Sequence, residues 1–215
     1  RGASHDHSRI IRRSYHTPGY VALTADAYDA WHAVELYADE EIIARTGGID
    51  LFPPDAAIDP EPYRASLTAV GVEFEELDAA EIRRRWPAFD RGSLIDGDVT
   101  ALYSAETGIV PAARGTATLQ HLAVAYGGDL RPNTPVLALE PAGDGDEIDV
   151  VTASGATRVG HVVVCADAWT NRLLAPLGVT IPLAVTREQV SYFPCNDPDL
   201  VPGRFPVWIW MDDPS

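Results

Sequence analysis

The run His161-Val162-Val163-Val164-Cys165-Ala166-Asp167-Ala168-Trp169-Thr170-Asn171 shows no polar and apolar alternation between Val162 and Ala166. It therefore reads as a strand buried on both faces, followed by a turn at 166–169 and a helix from Thr170 or Asn171. Such a strand needs helices over both faces of its sheet, which makes at least this part of the fold α/β. Just upstream, Pro135 to Leu139, Glu147 to Thr152 and Thr157 to Val159 read as strands joined at Gly143-Asp144-Gly145 and Ser154-Gly155. Before them, Pro111 suits a first helical turn, and the Ala-rich run to Tyr126 closes at Gly127-Gly128. Downstream, Pro182 to Phe193 and Phe205 to Met211 read as strands; the latter puts Trp208 and Trp210 on one face of an apolar edge that would need covering.

The front half has a different rhythm. Thr17-Pro18-Gly19 is a turn signal, and Leu23, Ala27, Trp31, Val34 and Ala38 recur at helical spacing, predicting a helix over about 22–40. Short strands are expected at 42–46 and 48–52, broken at Gly47-Gly48 and stopped by Pro53-Pro54. A helix over 61–70 closed by Gly71, a strand over 72–76, and a short helix capped by Asp78 with Glu81 and ended by Pro87 complete this part. The fold class is accordingly mixed, α+β with α/β, and 215 residues suffice for one large domain or two small ones.

Composition narrows the partners. No Lys stands beside 16 Arg, and the 32 Asp+Glu give a formal charge of −16. A surface so acidic argues against nucleic acid or an anionic membrane as the partner, because phosphate needs basic patches. Cys165 and Cys195 form no CxxC, which indicates neither zinc nor a disulfide framework and fits a reducing, cytoplasmic setting. No apolar run approaches the ~20 residues of a membrane span. Residue 1 is not Met, so the chain reads as the inside of a longer protein.

Against this acidic background, Gly2-Ala3-Ser4-His5-Asp6-His7-Ser8-Arg9-Ile10-Ile11-Arg12-Arg13-Ser14-Tyr15 is a local cationic cluster with no hydrophobic face. From the residues alone, its arginines are either solvated and paired with surface carboxylates or part of a site. Of His5-Asp6-His7, only the two histidines could share a metal, since consecutive residues of an extended chain point oppositely; no metal site is assigned.

The ordered set Gly2-x-Ser4-His5, Arg9-Ile10-Ile11-Arg12, Tyr20-Val21-x-Leu23 with the Trp31 helix, Glu81-Ile82-x-x-Arg85-Trp86-Pro87, Glu106-Thr107-Gly108-Ile109-Val110, Val162 to Asn171, and Pro182 with Arg187-x-Gln189-Val190 spans nearly the whole chain. It resembles FAD-dependent amine oxidases of the D-amino-acid oxidase superfamily, of the monomeric sarcosine oxidase and N-methyltryptophan oxidase type. The chain looks like their middle portion. The family's GxGxxG unit would precede Arg1, and the part carrying its covalent flavin-attachment Cys and active-site Lys would follow Ser215. Asp167 stands where the family often has Gly.

The resemblance implies FAD as cofactor, an amino acid with a secondary or N-methylated amine as substrate, and oxygen as electron acceptor. It implies that Arg12 binds the substrate carboxylate, a role suited to a guanidinium fork. Arg9 would tune the flavin, one turn from Arg12 if their segment were helical, with Ser4 and His5 beside the ring. Val136 would touch the adenine, and Ala166, Asp167 and Trp169 would pass the adenosine. The cofactor side would comprise roughly 1–46 and 106–177, and the substrate side an antiparallel sheet from 47–105 and 178–215. Another FAD-dependent amino acid oxidase or dehydrogenase of the superfamily would share these features, and a binding module without flavin is the alternative from outside enzymology.

Overall fold

Pro18 opens the first helix, where its fixed φ is already helical and its missing N–H would have had no partner. In the computed structural model, which describes residues 6–92, 94–95, 97–143, 145–187 and 189–212, this helix α1 runs Pro18–Ala38. It begins one turn earlier than the apolar spacing predicts and buries Val21, Thr24 and Tyr28 along one stripe. Asp39, in the left-handed conformation, returns its N–H to Glu35 and ends it. The Glu35 carboxylate then accepts the N–H groups of Ile42 and Ile43 at 2.8 and 2.7 Å, tying the helix to the next segment.

The remaining elements, in chain order, are strand β1 (Arg9–Ile11) before α1, then β2 (Ala44–Arg45), β3 (Gly48–Phe52), α2 (Glu61–Val70), β4 (Glu75–Asp78) and α3 (Ala79–Arg85). After these come β5 (Thr100–Ser104), β6 (Gly108–Val110), α4 (Ala112–Ala125), β7 (Val136–Pro141), β8 (Ile148–Thr152), β9 (Gly155–Val159), α5 (Thr170–Leu174) and β10 (Val207–Trp210). They form two compact units, one over Gln120–Tyr192 and the other over Asp6–Leu119 with the stretch from Phe193 onward.

In the larger unit, β1 and β2 flank β6 antiparallel, and a mixed sheet has the order β10-β3-β5-β4. There β10 runs parallel to β3, while the other pairs are antiparallel. All five residues of β3 are buried, because both faces of this sheet are covered. On one face Ile49, Leu51 and Ala101 pack with Ile82 of α3, Phe89 and Trp210. On the other, Phe52 and Leu102 pack with Val21 of α1, Tyr63 and Leu67 of α2, and Ile209. Asp78 caps α3 as its spacing predicts, accepting the Glu81 N–H at 2.8 Å. It also ends β4, which starts three residues later than expected.

The smaller unit holds the antiparallel sheet β7-β8-β9 at the positions expected from the sequence. The run at 161–166 is the main correction: it belongs to no strand, and Val163 is 86% exposed. An unbroken apolar run becomes a doubly buried strand only where neighbouring strands and helices enclose it, and among the described residues none pairs with it. The segment 182–193 likewise makes no strand among its described residues. No helix among the described residues is long and apolar enough to cross a membrane.

Candidate active site

The register of the mixed sheet decides which side chains share a face. Gly48 lies opposite Ser104 and Val207, and Asp50 opposite Leu102 and Ile209. Alternation along each strand turns these to one side. Arg12 and Ser14, from the segment after β1, close over them with Thr107, leaving a cavity of about 10 Å³, the size of one water site. Gly48 permits this closure, since a Cβ there would overlap the Thr107 side chain.

Arg12 Nη1 donates to Asp50 Oδ1 at 3.3 Å, and its guanidinium lies 4.9 Å from the centre of the Tyr15 ring. The pair is unequal in exposure, the Arg12 side chain at 20% and that of Asp50 at 7%. Burial raises the Asp50 carboxyl above its ordinary range, and the Arg12 charge pulls it back. The Ser14 hydroxyl is close enough to favour the ionised form, yet neither it nor the buried Ser104 hydroxyl has a hydrogen bond of good geometry among the described residues. This pocket thus sets a buried acid and two hydroxyls among apolar walls, with a guanidinium at its edge.

Arg13 is employed otherwise. Its Nε lies 2.5 Å from Glu106 Oε2, and its guanidinium sits 4.4 Å from the Tyr28 ring centre. The Tyr28 hydroxyl donates to the Glu106 carbonyl at 3.1 Å, and its pKa is pushed up to about 12, chiefly by burial. These contacts fasten the front segment to α1 and to the turn between β5 and β6. Arg9 stands on β1 opposite Val110, with Nη1 donating to the Ser8 carbonyl at 2.7 Å. Because this segment is a strand, Arg9 and Arg12 are not one helical turn apart. Ser4 and His5 lie outside the described residues.

The other expected site residues belong to the smaller unit. Val136 opens β7 at 39% exposure. Ala166, at φ −101° and ψ 8°, precedes a 3₁₀ turn, and Asp167 adopts φ 48°, the left-handed conformation that the family's Gly would take without strain. Trp169, 48% exposed, completes a 3₁₀ turn leading into α5. Asn171 holds the following loop by accepting the Ile181 N–H at 2.9 Å and donating to its carbonyl at 2.7 Å.

FAD offers two flat ring systems and an anionic pyrophosphate. In the smaller unit, Val136, Val163 and Trp169 are exposed apolar surface of the kind a flat ring covers. The residues present fit the cofactor this far, while the glycine-rich phosphate loop is not among the 215. Asp50 is the functional candidate that sequence reading missed. Its signal was a lone acid inside the otherwise apolar strand Gly48–Phe52, which demands a buried cation.

The chain is similar to the monomeric sarcosine oxidase of Streptomyces avermitilis, at 34% identity over 99% of this chain and 54% of that protein. It is similar also to the peroxisomal sarcosine oxidase of Homo sapiens, at 30% identity over 98% of the chain and 53% of the relative. An N-methyl-L-tryptophan oxidase of Citrobacter koseri matches at 26% over 96% and 53%. The chain therefore spans about half the length of these relatives. Among solved structures, an open form of a variant of NikD, described as an unusual amino acid oxidase essential for nikkomycin biosynthesis, aligns with a TM-score of 0.70 and 27% identity. That alignment covers 83% of this chain and 45% of the other. The family model described as FAD dependent oxidoreductase matches residues 1–215, and with these relatives it shows that the chain belongs to the FAD-dependent oxidoreductases of the D-amino-acid oxidase superfamily.

Proposed function

We propose that the complete protein oxidises the CH–NH bond of a secondary or N-methyl amino acid, giving an imine and hydrogen peroxide. The observation that carries this reading is Arg12: a half-buried guanidinium at the rim of a small cavity, with Asp50 as its one hydrogen-bond acceptor among the described residues. A guanidinium so placed keeps donors for a substrate carboxylate and orients the amine-bearing carbon. Bound FAD supplies the hydride acceptor and passes the electrons on to oxygen. Arg9, Ser4 and His5 are assigned to its ring, Val136 to the adenine, and Ala166, Asp167 and Trp169 to the adenosine.

The cofactor side is assigned to 1–46 and 106–177 and the substrate side to 47–105 and 178–215. This division by role crosses the two compact units, because β6 joins the front strands within the larger one. The substrate is a small amino acid, with no nucleic-acid or membrane partner. The exposed free thiols of Cys165 and Cys195 suit a reducing compartment such as the cytoplasm. The similarity to NikD supports a second reading, an oxidase of another amino acid within the superfamily. The experiment is to purify the complete protein, record its flavin absorption and assay peroxide with N-methyl amino acids and with primary ones. Flavin with peroxide from the N-methyl set is expected; peroxide from primary amino acids alone selects the second reading, and no flavin refutes both.

A further inference from the structure

Of the sheet residues that line the cavity Asp50 is the charged one, and its charged neighbour is Arg12. Their contact is single rather than bidentate, 3.3 Å from Nη1 to Oδ1. Most of the five N–H donors of Arg12 are therefore without a protein acceptor among the described residues. The cavity holds no more than a water, so a ligand carboxylate meets Arg12 from its exposed side. Whatever anion takes those donors also lies in the field of the buried Asp50 carboxylate.

We propose that Asp50 is a specificity-determining counter-charge for Arg12: it makes the subsite neutral, so that a ligand bringing only a carboxylate is repelled while a dipolar amino acid is accepted. This rests on the reading that Arg12 takes the substrate carboxylate. Two carboxylates on opposite edges of one guanidinium sit about 7 Å apart, and at an effective permittivity of about 20 that repulsion weakens binding roughly fiftyfold. Partial exposure of Arg12 screens it, leaving an expected effect of about tenfold. A zwitterion carries an ammonium beside its carboxylate, and most of the repulsion cancels.

The test uses the complete flavoprotein and titration calorimetry with two probes, acetate and trimethylglycine, the second a permanent zwitterion. Asp50→Asn is expected to tighten acetate about tenfold while changing trimethylglycine by less than about twofold. A merely structural role would weaken both probes together. Acetate bound no more tightly than in the wild type overturns the proposal, and Asp50→Leu, apolar and branched at the same atom, gives the same comparison if the Asn variant does not fold. Arg12→Met separates the two levels. Acetate binding that survives it sinks the Arg12 reading itself, whereas binding lost there but unchanged in the Asp50 variants sinks only the counter-charge.

Discussion

Replacing Arg12 by Met in the complete protein leaves Asp50, 7% exposed, as a buried acid without its cation. Stranding one member of a buried pair costs about 3–5 kcal/mol. Asp50→Asn removes the other charge but leaves an Arg12 that still reaches water, for about 1 kcal/mol. With both replaced, Met faces Asn and no charge is stranded, so the double variant loses about 2 kcal/mol less than the sum of the single ones. Acid adds a second signature. The folded protein already holds the Asp50 proton more tightly than the ordinary 3.8, because burial outweighs Arg12, and removing Arg12 raises the carboxyl further. A fold that binds a proton more tightly than the unfolded chain gains stability as pH falls from the folded value toward 3.8, and levels off below it. Arg12→Met should therefore recover stability on acidification, and the double variant should not. Urea unfolding followed by circular dichroism at two pH values measures both effects. Single-variant losses that add to within about 0.5 kcal/mol, with no difference in pH response, would refute the buried-pair argument.

Gly48→Ala drives a methyl into Thr107, and a loss of about 1–3 kcal/mol is expected, read as a lowered unfolding midpoint. Asp78→Ala removes the acceptor for the Glu81 N–H; about 1 kcal/mol should be lost, with Asp78→Asn close to wild type in the same denaturation assay. Tyr28 should resist ionisation until about pH 12, so a phenolate absorbance titration of Tyr28→Phe should lack only the latest component of the wild-type curve.

Local chemistry was legible where a single residue decides the outcome. Gly71 closes α2 and Asp78 caps α3 because a left-handed backbone and an orphan N–H each have few solutions. The family and the mixed fold class could likewise be read, since motifs keep their order along the chain. Pairing between distant segments could not. The parallel register of Val207 with Gly48 brings Ile209 beside Asp50, and nothing in either short stretch names the other. The run Val162 to Ala166 misled for the same reason: its composition states what it would do inside a sheet, not whether a sheet surrounds it. Asp50 was hidden by its apolar neighbours, although one acid among them marks a polar contact to be found. Arg12 was singled out from its motif, but its partner Asp50 came only from the fold.

The claim on which the rest stands is that Arg12 holds the substrate's carboxylate. The most direct measurement compares the Michaelis constants of wild type and Arg12→Met, in the complete protein, for an N-methyl amino acid and for the matching amine without a carboxylate. Loss of a charge-assisted pair worth about 2–4 kcal/mol predicts a rise of roughly 30- to 800-fold for the amino acid, and little change for the amine. An unchanged constant for the amino acid, in a variant that retains flavin, would contradict the account.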